Sequence, residues 1–301
     1  MDGGWTVTLI SVAMFVGCFA LGFIPLLFSL SERRLQLVSI LGAGLLCGTA
    51  LAITIPEGVS LLEGSSRVSS SSSDVPSGLN AIENNRNGSA PEKGLAPQLL
   101  IGLPLTFGFT FMFAVDQIAS YLSTRDRATR LPNTVGITAT LGLVIHAAAD
   151  GFAVGAAVAT GQVTVQVIVF VAVILHKAPA AFGLVSFLMH AGLQRKYIQG
   201  HLLAFSAAAP ILAISTYFIL HASGRSTENQ LSATGVGMLF SAGTFLYVAT
   251  VHILPEISRT GQAEDPHQHH LGLLQSVTLI LGLGLPTVLA LGLHADSEGN
   301  V

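Results

Sequence analysis

Charge is scarce in this sequence. Only 10% of its 301 residues are Asp, Glu, Lys or Arg, against roughly 25% in a soluble domain. A water-exposed surface cannot be built from so few charges, so a soluble globular domain is excluded. Basic excess is missing too: 13 Lys and Arg stand against 16 Asp and Glu, a net charge of -3, which removes the electrostatic footprint of nucleic-acid binding. Cysteine is nearly absent. Cys18 and Cys47 both sit in apolar runs, so neither a disulfide framework nor a thiolate metal site is indicated. The start, Met1-Asp2-Gly3-Gly4, lacks a basic leader. The run behind it, 5–30, is too long for a signal-peptide core and reads as a retained helix.

Apolar runs are what the chain has instead. A bilayer span needs about 20 mainly apolar residues, and such runs occupy 5–30, 37–61, 98–120, 134–158, 163–188, 201–222, 234–255 and 271–294. The fold class is therefore an all-α integral membrane bundle of about eight helices, with 1–301 forming one polytopic domain. Residues 62–97 hold the unbroken run Ser69 to Ser73 with scattered glycine, asparagine and proline, a composition that cannot bury enough apolar surface to order itself. That stretch is expected to be a disordered, extracytosolic loop. It contains the acceptor pattern Asn87-Gly88-Ser89, which makes Asn87 a candidate glycosylation site on the lumenal or outer side.

Basic residues agree with that orientation. Arg33, Arg34, Arg125, Arg127, Arg130, Arg195, Lys196 and Arg259 fall in linkers on one side of the membrane. The other side has Arg67, Arg86 and Lys93 in the long linker, and Arg225. Basic short loops mark the cytosol, so both termini are expected outside it. The 256–270 loop, with His267, His269 and His270, is then cytosolic. Ala43-Gly44 precedes Pro56-Glu57 by the same spacing that separates Ala242-Gly243 from Pro255-Glu256. Those spans run in opposite directions, the mark of an inverted repeat: spans one to three would recur as six to eight around four and five. The alternative is coincidence between common dipeptides.

Ionisable side chains in mid-span are costly and mark function. His146 and Asp150, four apart, share one helix face, with alanines between them that admit a close neighbour. An imidazole and a carboxylate on one face suit a divalent transition metal, zinc foremost. The same pair could equally be a structural hydrogen bond between helices. His176 adds a second mid-span histidine beside Pro179, whose missing N–H frees the Leu175 carbonyl and is expected to loosen the helix there. Lys177 needs a carboxylate or a wet cavity, and Asp150 is the expected partner. Glu57 reads as an entrance carboxylate near the end of span two, and His252 with Glu256 as an exit pair. The bland reading of both is solvated helix ends. Asp116 is a pathway candidate or a helix-end charge.

These residues resemble the ZIP family of zinc transporters (solute carrier family 39) over nearly the whole chain: His146-Ala147-Ala148-Ala149-Asp150-Gly151, His176-Lys177-Ala178-Pro179-Ala180, and Ala242-Gly243-Thr244-Phe245-Leu246-Tyr247-Val248-Ala249 leading to Pro255-Glu256. The likeness is strongest to a subfamily of secretory-pathway membranes. It implies a Golgi or trans-Golgi location, with the plasma membrane as the alternative, and a metal site between spans four and five. Where many members bind a second metal, this chain has Ala147, Ala180, Ala209 and Lys177. A second site is therefore not expected, and Lys177 would stand in it as a tethered cation. With His146, Asp150 and His176 as ligands, tetrahedral zinc needs a fourth from water, the Leu175 carbonyl or span two.

The function expected is movement of zinc from lumen or exterior to cytosol. Zinc is the cargo, other divalent metals are open to the same ligands, and no organic cofactor is required. The lipid bilayer is the surrounding partner, and a homodimer is an arrangement the reading leaves open. Two rivals use the same residues: a metal-responsive receptor or scaffold without flux, and an intramembrane zinc hydrolase, for which no convincing general base is found.

Overall fold

The computed structural model describes residues 3–27, 32–72, 97–125, 134–190, 192–224, 226–253 and 272–298. Those residues form eight helices long and apolar enough to cross a membrane: Gly3–Leu27, Gln36–Ser65, Leu99–Tyr121, Thr140–Ala159, Val163–Met189, Arg195–Ala222, Glu228–Val251 and Leu273–Gly292, spans one to eight. A backbone in lipid must satisfy its own polar groups, which is why every crossing is helical. Spans three and eight turn Phe107, Phe113, Ile280, Leu281, Val288 and Leu291 outward, as lipid-facing helices do. Spans four and seven bury most of their surface among their neighbours.

The packing obeys an exchange of span one with six, two with seven, three with eight and four with five. Span two packs on eight as seven packs on three; one packs on five as six packs on four; two meets five as seven meets four. The two seams at the periphery match residue for residue. A Cβ at Gly44 would stand 2.6 Å from the Leu279 carbonyl oxygen and 2.8 Å from Gly282 Cα, so two backbones touch there. In the other copy, a Cβ at Gly243 would run into the Leu105 carbonyl, and one at Gly108 into the Phe240 carbonyl. Small residues permit this approach where lipid offers no hydrophobic drive for association.

The repeat also shares an irregularity. Span two opens into a π-helix over Ala50–Thr54 and span seven over Val248–Ile253. Each widened turn precedes a proline, Pro56 and Pro255. A proline cannot donate to the residue four back and its ring crowds that carbonyl, so the preceding turn relaxes to longer bonds. In span two the Thr54 hydroxyl takes up part of the slack, donating to the Thr49 carbonyl at 3.3 Å.

Three expectations need correction. The helix containing Pro179 runs unbroken from Val163 to His190, and the interruptions fall in spans two and seven. Span two packs directly on the proline, since a Cβ at Gly42 would lie 3.4 Å from Pro179 Cβ. The second concerns the 62–97 loop, whose first residues are not loop: the helix Ile55–Ser72 carries span two past its apolar run and into the serine tract. Third, Glu57 is consequently buried inside span two rather than solvated at its end. The reason is visible at Gly58 and Gly235, where spans two and seven come close enough for a Gly58 Cβ to meet Gly235 O at 3.3 Å. Residues 73–96, including Asn87, lie outside the described residues, as do Glu256 and the histidines of the 256–270 loop.

The matched seams make a test. Valine at Gly44 or at Gly243 should destabilise the protein by comparable amounts, about 1–3 kcal/mol for overpacking, read as a lowered melting temperature in detergent. A large effect at one site and none at the other would contradict the equivalence of the seams.

Candidate metal centre

Spans four, five and seven meet at the centre of the bundle. His146 and Asp150 come from span four, one turn apart, and His176 from span five, all at most 5% exposed. Asp150 Oδ2 lies 3.0 Å from His176 Nε2 and 3.4 Å from His146 Nε2. One ligand atom from each of the three falls within 4.8 Å of the others. A tetrahedral zinc with bonds of about 2.0–2.2 Å places its ligand atoms ~3.4 Å apart. The trio therefore already has nearly the spacing that an ion needs, and a hydrogen bond between His176 and Asp150 closes the gap between two of its members.

Span seven supplies no metal-ligating side chain to this trio, yet it holds the ligands. The Ser241 hydroxyl donates to Asp150 Oδ1 through a short hydrogen bond. Thr244 Oγ1 lies 2.9 Å from His146 Nδ1 and donates to the Ser241 carbonyl at 2.7 Å. Phe245 packs against both imidazoles, with ring centroids 5.0 Å from His146 and 5.5 Å from His176. Leu46, Ala50 and Thr54 of span two close the opposite wall of the same pocket. The π turn of span two thus brings Thr54, an oxygen-bearing side chain, to the pocket.

Sequence reasoning singled out His146, Asp150 and His176, and the structure brings these three together. It did not single out Ser241, Thr244 and Phe245 for roles of their own. The available signal was two hydroxyl residues three apart, hence on one helix face, in a membrane span ahead of a proline.

Lys177 is placed differently from the expectation. Asp150 gives its oxygens to Ser241 and His176, and the lysine turns away from the pocket, its Nζ 4.8 Å from the centroid of Phe205 in span six. It is 1% exposed, and among the described residues its Nζ has no hydrogen-bond partner. The aromatic face stabilises the ammonium that the carboxylate does not reach. Adjacent helix positions point about 100° apart, so His176 and Lys177 cannot both face the pocket. Asp116 lies outside the pocket: it sits well before the end of its helix, Pro97–Arg125, and accepts a hydrogen bond from Tyr247 at 2.9 Å. His252 falls in the second π segment.

An eight-span bundle with an internal inverted repeat, converging on a buried polar pocket, defines a membrane transport protein. The family model described as ZIP Zinc transporter matches residues 5–133 and 126–290. A zinc transporter ZIP9 from Micropogonias undulatus is 49% identical over 98% of this chain and 100% of its own length, and one from Xenopus tropicalis is 49% identical over 97% and 99%. The human zinc transporter ZIP4 is 34% identical over 48% of this chain and 22% of its own. The chain belongs to the ZIP family: it is a multi-pass zinc transporter and not an enzyme.

The Tyr247–Asp116 bond separates pathway from scaffold. Tyr247→Phe removes one partly buried hydrogen bond and should cost about 1 kcal/mol of stability while zinc uptake stays at the parent rate. A folded variant with impaired uptake would return Asp116 to the ion path.

Proposed function

We propose that zinc crosses the membrane toward the cytosol through the pocket between spans four, five and seven, bound by His146 and His176 through imidazole nitrogen and by Asp150 through carboxylate oxygen. The observation that carries this reading is the spacing of the three ligand atoms, within 4.8 Å and buried. Water or the Thr54 hydroxyl completes the coordination. Three protein ligands leave the ion loosely enough held to depart, which transport requires as much as binding. Binding displaces the proton between His176 and Asp150, so an ion exchanges with a hydrogen bond rather than entering a void. Lys177 contributes charge to the neighbourhood, not a ligand atom. Pro179 serves as the surface on which span two packs. Glu57 is one turn beyond Thr54 on the same helix, the next carboxylate on the way to the extracytosolic side, and His252 and Glu256 stand toward the cytosol.

The positions of arginine and lysine support termini outside the cytosol, and with them an extracytosolic Asn87. The resemblance to a subfamily of secretory-pathway membranes supports a Golgi or trans-Golgi location, with the plasma membrane as the alternative, and the Asn87-Gly88-Ser89 acceptor pattern supports a glycoprotein. The same ligands would accept other divalent metals more weakly or more strongly according to geometry, and a homodimer is compatible with the outward faces of the bundle.

Zinc uptake into proteoliposomes tests the pathway. The parent should accumulate zinc, and His176→Ala, equally folded, should lose that accumulation; a parent that binds zinc without moving it would leave a receptor. Orientation has its own check. Asn87→Gln should abolish an endoglycosidase-sensitive mass shift of the cell-expressed protein, and a parent without that shift would remove the support for a glycosylated loop.

A further inference from the structure

We infer that Thr244 is a positioning residue for transport: it locks His146 in the tautomer protonated at Nδ1, so that Nε2 meets the incoming ion with its lone pair. A threonine hydroxyl has one proton and two lone pairs. That proton is committed to the Ser241 carbonyl at 2.7 Å, so at 2.9 Å from His146 Nδ1 the oxygen can only accept. That acceptor demands a proton on Nδ1. A neutral imidazole has only one, which leaves Nε2 bare. Nε2 is buried, without a hydrogen-bond partner, and aimed at Asp150 Oδ2 3.4 Å away.

The chain carbonyl–threonine–imidazole–ion is thus assembled before any ion arrives. An outer partner of this kind fixes ring orientation and tautomer, and its loss typically weakens metal binding about 10–100-fold. Ser241 completes the arrangement, its hydroxyl holding Asp150 while its carbonyl, through Thr244, holds His146. One turn of span seven therefore sets two ligands of span four. His176 is not prepared in the same way, because its Nε2 faces Asp150 Oδ2 across the shared proton. The two histidines are unequal, with His146 ready to receive the ion and His176 obliged to surrender a hydrogen bond first.

The inference rests on His146 being a zinc ligand, and the experiment separates the two. Full-length protein in proteoliposomes is assayed for zinc uptake as parent, Thr244→Val, Thr244→Ser and His146→Ala. Valine keeps the shape and removes the acceptor. It should raise the KM for zinc by about tenfold or more with the maximal rate largely kept, and serine should restore the parent KM. A valine variant with the parent KM beside an inactive His146→Ala overturns the inference alone. A serine variant as impaired as valine also overturns it, since the methyl and not the hydroxyl would then matter. Parent-like uptake by His146→Ala overturns the ligand reading and the inference with it. The parent carries a readout that needs no Thr244 variant: imidazole nitrogen-15 shifts of the zinc-free protein, with His146 assigned through the signals missing from His146→Ala. A proton on Nδ1 supports the inference, and a proton on Nε2 overturns it.

Discussion

A carboxylate in the middle of a membrane cannot be left alone, and the centre of this protein is arranged around that constraint. Asp150 is 3% exposed, where an unpartnered charge would cost several kcal/mol. It is satisfied from two neighbouring helices at once, span five through His176 and span seven through Ser241, with His146 one turn away on its own helix. Each partner must come within hydrogen-bond range, so three helices are drawn to one point. The alanines between His146 and Asp150, and the small residues Ser241 and Ala242 opposite, are what allow the approach. The pocket is the space left over by that convergence, and its ligand spacing follows from the hydrogen bonds that hold it when no ion is bound.

The scaffold is symmetric and the site is not. Spans two and seven are equivalent in their glycine seams, their π turns and the prolines behind them. Yet Ser241 and Thr244 in span seven correspond to Gly42 and Leu45 in span two, so only one copy can anchor ligands. Span two offers instead a bare wall and the Thr54 hydroxyl. A duplicated framework has thus been specialised, with one arm holding the ligands and the other lining the space they face.

Much of this was legible in the sequence, because membrane solvation imposes coarse rules. Helix length follows from bilayer thickness, and mid-span ionisable residues announce themselves by their cost; hence the eight spans and the trio of His146, Asp150 and His176. The unread parts depend on direction and on neighbours. Lys177 was assigned to Asp150 by chemistry alone, whereas the helical rotation between positions 176 and 177 sends it to Phe205. Pro179 was expected to loosen span five, but Gly42 lets span two pack against it. Thr244 and Ser241 were invisible because a hydroxyl in a membrane helix ordinarily bonds its own backbone, and only tertiary packing shows that these two face His146 and Asp150. The helix ending at Ser72 was hidden by its serines, which carry no apolar signal.

The glycine seams have a mechanical side. Where backbone touches backbone, as between Gly44 and Gly282 or between Gly243 and Leu105, there are no side-chain rotamers to absorb sliding, and any shift meets the stiffness of the main chain itself. Spans two and eight form one plate, and spans three and seven another. The Gly58–Gly235 approach joins these two plates, and Gly151 and Gly155 tie span four to the backbone of span six in the same way, so a reorientation that exposes the pocket to alternate sides moves each of these locked groups whole.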